Sequence, residues 1–258
     1  MNNQPIGIFD SGFGGLTIFR AISELLPEES LIYLGDGANC PYGLRSNSDI
    51  EQLADSAVER LVAMGCKMIV VACNTATAAA IEFLRAKYTA GQGIQIVGME
   101  PAVKPACLAT QSGVVGVLAT QRSLEGDLFQ RTAAKYSDSI KIVASFGAGF
   151  VEVVESDMED SPEAEAVVRK VVEPMVEQGV DQIVLGCTHY PFLIPILRRI
   201  APQVNIVDPS PAVARRVAQL LEESDMKAVV GSVAEYEFTT FADEDYRNKL
   251  RKKALKKC

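Results

Sequence analysis

Short apolar runs alternate along this chain with longer stretches in which apolar residues recur every three or four positions. The short runs at 6–9, 31–34, 68–72, 94–97, 114–118, 140–144, 182–185 and 205–207 are apolar on both faces, the pattern of strands buried in a parallel sheet. The stretches between them predict helices, for example 16–25 ahead of Pro27, 49–64 closed by Gly65 and 163–177 closed by Gly179. Strict strand–helix alternation predicts βαβ units with right-handed crossovers and an α/β fold.

Part of this pattern occurs twice. Segments 68–75 (MIVVACNT) and 182–189 (QIVLGCTH) each run an apolar strand into a small residue, a cysteine and polar residues. Segment 96–103 (IVGMEPAV) aligns with 206–213 (IVDPSPAV), and 7–11 (GIFDS) aligns more weakly with 116–120 (GVLAT). The offsets are 110 residues (96 to 206), 109 (7 to 116) and 114 (73 to 187), so three strand ends repeat in order at nearly one spacing. This predicts two pseudo-symmetric α/β lobes with mainly parallel sheets, residues 1–97 plus 207–258 forming the first and 98–206 the second. A ligand cleft is expected where the carboxyl ends of the strands meet.

Composition narrows the function. At 258 residues the chain has ample apolar surface for such a core. A net charge of −8 and a pI near 4.9 argue against nucleic acid, which requires a concentrated basic face. The basic cluster at 247–257 reads as a solvated helix or a frayed tail. The first residues, MNNQPIGIFDSG, lack the charge and apolar core of a signal peptide, and no run reaches membrane-spanning length, so a cytoplasmic protein is expected. Six cysteines are then reduced thiols, and without a CxxC pair or a Cys/His cluster no metal site is expected. Neither a GxGxxG fingerprint nor a GxxxxGK[ST] phosphate loop is present, so no nucleotide cofactor is called for.

The repeated strand ends carry the candidate chemistry. A cysteine where a strand passes into a helix meets unpaired N–H groups and the positive end of the helix dipole, which lower a thiol pKa from about 8.5 toward neutrality. Such a group can act as base in one half-reaction and acid in the other. The first amides of the same helices, at Asn74, Thr75, Thr188 and His189, suit a carboxylate without any cation, so an acidic protein can bind an acidic substrate. A lone cysteine after a buried strand is also a common small core residue. The pairing of Cys73 with Cys187 favours chemistry, whereas Cys40, Cys66, Cys107 and Cys258 lack that setting and read as structural or incidental.

Segments 10–15 (DSGFGG), 35–43 (GDGANCPYG), 72–78 (ACNTATA), 98–106 (GMEPAVKPA) and 186–191 (GCTHYP) closely resemble the glutamate racemases of the aspartate/glutamate racemase family. The resemblance covers nearly the whole chain. It implies a cofactor-independent isomerase that interconverts L- and D-glutamate and supplies D-glutamate for peptidoglycan, hence for cell wall biogenesis and cell shape. It further implies two pseudo-symmetric lobes, an active site in the cleft between them and a homodimer, with neither nucleic acid nor membrane as partner. Cys73 and Cys187 would be the acid/base thiols on opposite faces of the substrate α-carbon, Asp10 assisting the first, and His189 and Glu155 the second. Substrate contacts would come from Asp10, Ser11, Pro41, Tyr42, Gly43, Asn74, Thr75, Thr120, Thr188 and His189.

Other roles stand beside these. Asp10 has the position of a helix cap, His189 that of a satisfied helix-start residue, and Pro41-Tyr42-Gly43 that of an ordinary turn. Gly37 and Asn39 depart from the family pattern, in which a basic residue is common at the latter. The stretch from Tyr246 onward matches no motif, and no function is assigned to it. The competing functions are an aspartate racemase, a silent two-lobe binder of acidic amino acids, and a hydrolase using one thiol with His189. The last would leave the second cysteine without a role.

Overall fold

The computed structural model describes residues 2–99 and 102–255, which fall into two compact units, 2–99 with 210–255 and 102–209. In chain order the first unit begins with β1 (Ile6–Asp10), α1 (Leu16–Leu25), β2 (Leu31–Gly35), α2 (Asn47–Ala63), β3 (Met68–Val71), α3 (Asn74–Leu84) and β4 (Gln95–Gly98). The second unit holds α4 (Val103–Ala109), β5 (Val114–Ala119), α5 (Gln121–Glu125), α6 (Asp127–Ala134), β6 (Lys141–Phe146), α7 (Phe150–Glu155), α8 (Pro162–Val176), β7 (Gln182–Gly186), α9 (Ile194–Ile200) and β8 (Asn205–Val207). The chain then returns to the first unit as α10 (Ser210–Glu223), β9 (Tyr236–Thr240) and α11 (Glu244–Leu255). The motif residues Glu100 and Pro101, together with Cys258, lie outside the described residues.

Every strand pairing is parallel. The first sheet runs β4-β3-β1-β2-β9 and the second, read in the same sense, β8-β7-β5-β6. The strands aligned by the sequence repeat, β1 with β5, β3 with β7 and β4 with β8, therefore occupy equivalent places. β1, β2, β3 and β7 are buried along their whole lengths, which explains their unbroken apolar sequences.

The helices start and stop where the side chains dictate. Ser46 caps α2 by accepting from the Asp49 amide at 3.1 Å, and Ser161 caps α8 through the Ala164 amide at 3.1 Å, with Pro162 opening that helix. Gly65 and Gly179, at φ of 80° and 85°, turn the chain back to β3 and β7 through the left-handed region that glycine alone enters cheaply.

Two elements depart from expectation. β9 pairs with β2 although no strand was predicted at 236–240. The basic C-terminal stretch is neither a frayed tail nor a fully solvated helix: α11 buries Leu250, Lys253 and Ala254, and Arg20 donates to the Lys253 carbonyl at 2.5 Å. Tyr246, Leu250 and Ala254 recur at helical spacing, so the stripe that docks the helix was present among its charges.

Candidate active site

In the first unit the candidate residues gather at the carboxyl ends of adjacent strands. Cys73 is the N-cap of α3, and its buried Sγ accepts from the Ala76 amide at 3.4 Å. The thiol lies 3.6 Å from Ser11 Oγ, just beyond the end of β1. An amide aimed at sulfur and a helix N-terminus both favour the thiolate, while Ser11 is placed to accept from the thiol. Asn74 and Thr75 form the first turn of α3 and are buried. The Oδ1 of Asn74 is buried without a hydrogen-bond partner among the described residues. Leaving such an acceptor unmatched costs about 1–3 kcal/mol, which a ligand donor would offset.

Asp10 is fully buried at the end of β1, beside β3, and its Oδ1 accepts from the Gly12 amide at 2.8 Å. It does not cap the following helix: the N-cap of α1 is Gly15, which makes no side-chain cap. The carboxylate is thus held at the strand end by a local turn.

A buried carboxylate absent from the sequence-based set, Asp36, follows β2. It accepts from Tyr42 Oη at 2.6 Å and from Asn39 Nδ2 at 3.0 Å to each oxygen, and its amide donates to the Asp10 carbonyl at 2.9 Å. Burial first, then the Asp36 charge, raises the Tyr42 phenol far above its usual range. Tyr42 therefore holds its proton toward Asp36 and offers neighbours an oxygen acceptor. Asn39 meets Asp36 as a neutral amide. Tyr42 opens a single turn of 3₁₀ helix at Tyr42–Leu44, preceded by the exposed Pro41 and followed by the half-buried Gly43. The strongest cue to Asp36 was its place in the 35–43 motif.

In the second unit Cys187 directly follows β7. Its Sγ lies 3.8 Å from His189 Nδ1, and His189 Nε2 lies 2.6 Å from Glu155 Oε1 at the end of α7. A proton on Nε2 toward Glu155 leaves Nδ1 as the acceptor facing the thiol, so the pair can take the Cys187 proton and hold the resulting imidazolium. His189 is thereby more than a helix-start residue, and its side chain is 3% exposed against 17% for Glu155.

The expected helix start after Cys187 is absent. The Tyr190 amide bonds the Cys187 carbonyl at 3.1 Å, a 3₁₀ turn occupies Tyr190–Leu193, and α9 begins only at Ile194. Pro191 and Pro195, which lack amide hydrogens, break up the helix that the repeat implied. Burial, then the charge of Cys187, raises the Tyr190 phenol well above its usual range. Thr188 is buried beside Cys187. Thr120, at the end of β5, caps α5, accepting from the Ser123 amide at 3.2 Å and donating to Ser123 Oγ at 2.9 Å.

The remaining thiols have other settings. Burial, aided by Glu237, pushes Cys66 up to about 12, and burial also raises Cys107. Cys40 is half-buried. No helix among the described residues is long and apolar enough to cross a membrane.

Two parallel sheets of matching strand order, each with a buried thiol just past the end of its second strand, define an α/β protein of two similar units. The chain matches the Asp/Glu/hydantoin racemase family over residues 6–217 and belongs to that family. A glutamate racemase of Roseiflexus sp. (strain RS-1) is 47% identical, the match covering 90% of this chain and 84% of that protein. Among solved structures, a glutamate racemase isoform from Bacillus anthracis superposes with a TM-score of 0.87 at 28% identity, covering 99% of this chain and 95% of the other. The Escherichia coli glutamate racemase in complex with L-glutamate and the activator UDP-MurNAc-Ala gives 0.85 at 29% identity, covering 97% and 95%.

Proposed function

We infer that the protein is a glutamate racemase, interconverting L- and D-glutamate and supplying the D-isomer for peptidoglycan. The observation that carries this reading is the family membership together with close similarity to glutamate racemases over nearly the whole chain, including one solved with L-glutamate bound. An aspartate racemase or a silent binder of acidic amino acids is favoured by no feature of either unit.

In the proposed mechanism Cys73 and Cys187 are the two acid/base groups. One, as thiolate, removes the α-proton, and the other, as thiol, delivers a proton to the opposite face of the α-carbon. The reverse reaction exchanges their roles. Abstraction is difficult because an amino-acid α-proton is far less acidic than a thiol, and fixed donors with water excluded must stabilise the carbanion-like state. For Cys73 these would be the first-turn amides of α3 with Asp10 and Ser11 nearby. For Cys187 the donor would be His189, held in place by Glu155. Asn74 Oδ1 is the natural acceptor for the substrate ammonium, with Tyr42, Gly43, Thr75 and Thr188 as further contacts. Thr120 is a weaker candidate because its hydroxyl already serves Ser123. The enzyme would act in the cytoplasm as a homodimer, with glutamate as its small-molecule partner.

Circular dichroism of purified protein with each glutamate enantiomer and no added cofactor tests the reading. The signal should decay to zero from both sides, and Cys73→Ala or Cys187→Ala should slow the decay by about 10³-fold or more. Unchanged glutamate beside racemised aspartate would assign the activity to the other substrate of the family.

A further inference from the structure

We propose that Tyr246 of α11 is a positioning residue whose ring ties the loop carrying Asp10 and Ser11 to the loop carrying Asp36 and Tyr42. The Asp36 amide bond to the Asp10 carbonyl is the last main-chain link between these segments at the end of the β1–β2 ladder. Just past it, α11 meets both segments. The Tyr246 ring stacks on Phe13, with centroids 4.7 Å apart and planes 6° from parallel. It also lies against Gly37, where an added Cβ would fall 2.3–2.5 Å from three of its ring carbons. One turn on, Leu250 reaches Gly35, where a Cβ would lie 3.1 Å from both methyl groups and 2.9 Å from the Gly12 carbonyl oxygen.

The bare Cα of Gly37 is therefore the seat of an aromatic ring from the C-terminal helix. The helix itself is fixed: the Asp243 side chain accepts from the Tyr246 amide at 2.9 Å, and Arg20 holds the carbonyls of Lys253 and Ala254. Gly37 directly follows Asp36, which orients Tyr42, and Phe13 lies two residues after Ser11, which faces Cys73. Displacing the ring frees both segments together. Tyr246 thus acts through its neighbours Phe13 and Gly37.

The proposal rests on the racemase reading for its kinetic consequence but not for its structural one, so the test has two arms. Hydrogen exchange is followed in peptides spanning 10–17 and 35–44, with 182–186 as the control, beside KM and kcat for both glutamate enantiomers. Tyr246→Ala should speed exchange in both loops and leave the control unchanged. It should raise KM about tenfold in both directions with kcat within about twofold, because loosened loops reduce the fraction poised to bind. Tyr246→Phe, which keeps the stack, should stay closer to the wild type than Tyr246→Ala in both readouts. Gly37→Ala should raise KM similarly, yet have little further effect when combined with Tyr246→Ala, since its methyl then has room. Wild-type exchange in the two loops of Tyr246→Ala overturns the proposal, as does a KM unchanged in both Tyr246→Ala and Gly37→Ala. A wild-type protein that does not racemise glutamate would overturn the racemase reading, while the exchange arm still decides the role of Tyr246.

Discussion

Cys73 and Cys187 end equivalent strands of two sheets with the same strand order, but their surroundings differ. Cys73 caps an α-helix of 11 residues and receives the Ala76 amide on its sulfur. Cys187 runs into a proline-containing 3₁₀ turn and faces an imidazole backed by a carboxylate. The helix N-terminus is a fixed dipole that favours the thiolate without moving a proton, whereas the His189–Glu155 pair stores a proton. The repeated scaffold thus surrounds its thiol with backbone electrostatics in one half and with side chains in the other. The strand ends beside them diverge too: Ser11 lies next to the Cys73 thiol, while its counterpart in the repeat, Thr120, caps a helix.

This difference is open to test. His189→Asn removes the imidazole from one thiol only, so it should lower turnover about 10²-fold and slow alkylation of Cys187 at neutral pH while leaving Cys73 labelling unchanged, as read by mass spectrometry of the modified peptides. Equal slowing at both thiols would remove the distinction between them.

At the other strand end, Asn74→Ala deletes a buried acceptor that has no hydrogen-bond partner among the described residues. Stability should change by less than about 1 kcal/mol while kcat/KM falls about tenfold, measured by denaturant titration beside racemisation kinetics. A large loss of stability with normal kinetics would make Asn74 a structural residue.

Cys66 sharpens the contrast, being a thiol buried near the start of β3 without a helix N-terminus or an imidazole. Its folded pKa of about 12 lies above the unfolded value of 9.0, so its protonated form stabilises the fold fully below pH 9. As pH rises from 9 toward 12 that contribution is lost, by up to ~4 kcal/mol for a rise of three units. The stability lost in Cys66→Ala, about 1 kcal/mol at neutral pH, should therefore shrink and then reverse in sign across that window, with the substitution leaving racemisation unaffected. Denaturant midpoints of both proteins at pH 8 and pH 11 check it.

Much of the first unit was legible because its strands are buried on both faces and their sequences are plainly apolar. β9 was less so: Tyr236, Phe238 and Thr240 alternate, but Glu237 interrupts them and the strand adds to an edge. α11 hid its docking stripe among lysines and arginines, since only three apolar positions face the core. The candidate thiols were visible through the repeat. Asp36 was not singled out, because an aspartate flanked by glycines reads as a turn, and its burial against Tyr42 is a tertiary fact.

The sequence alone determined the α/β alternation, the internal repeat, the family and the two cysteines, because each is written in local spacing or in short contiguous motifs. Folding decided which distant groups meet: Glu155 with His189 across 34 residues, Asp36 with the end of β1, and Tyr246 with Phe13 and Gly37. The physical reason is that partner choice depends on strand order and side-chain packing, which bring together residues far apart in the chain and leave no periodic trace in it.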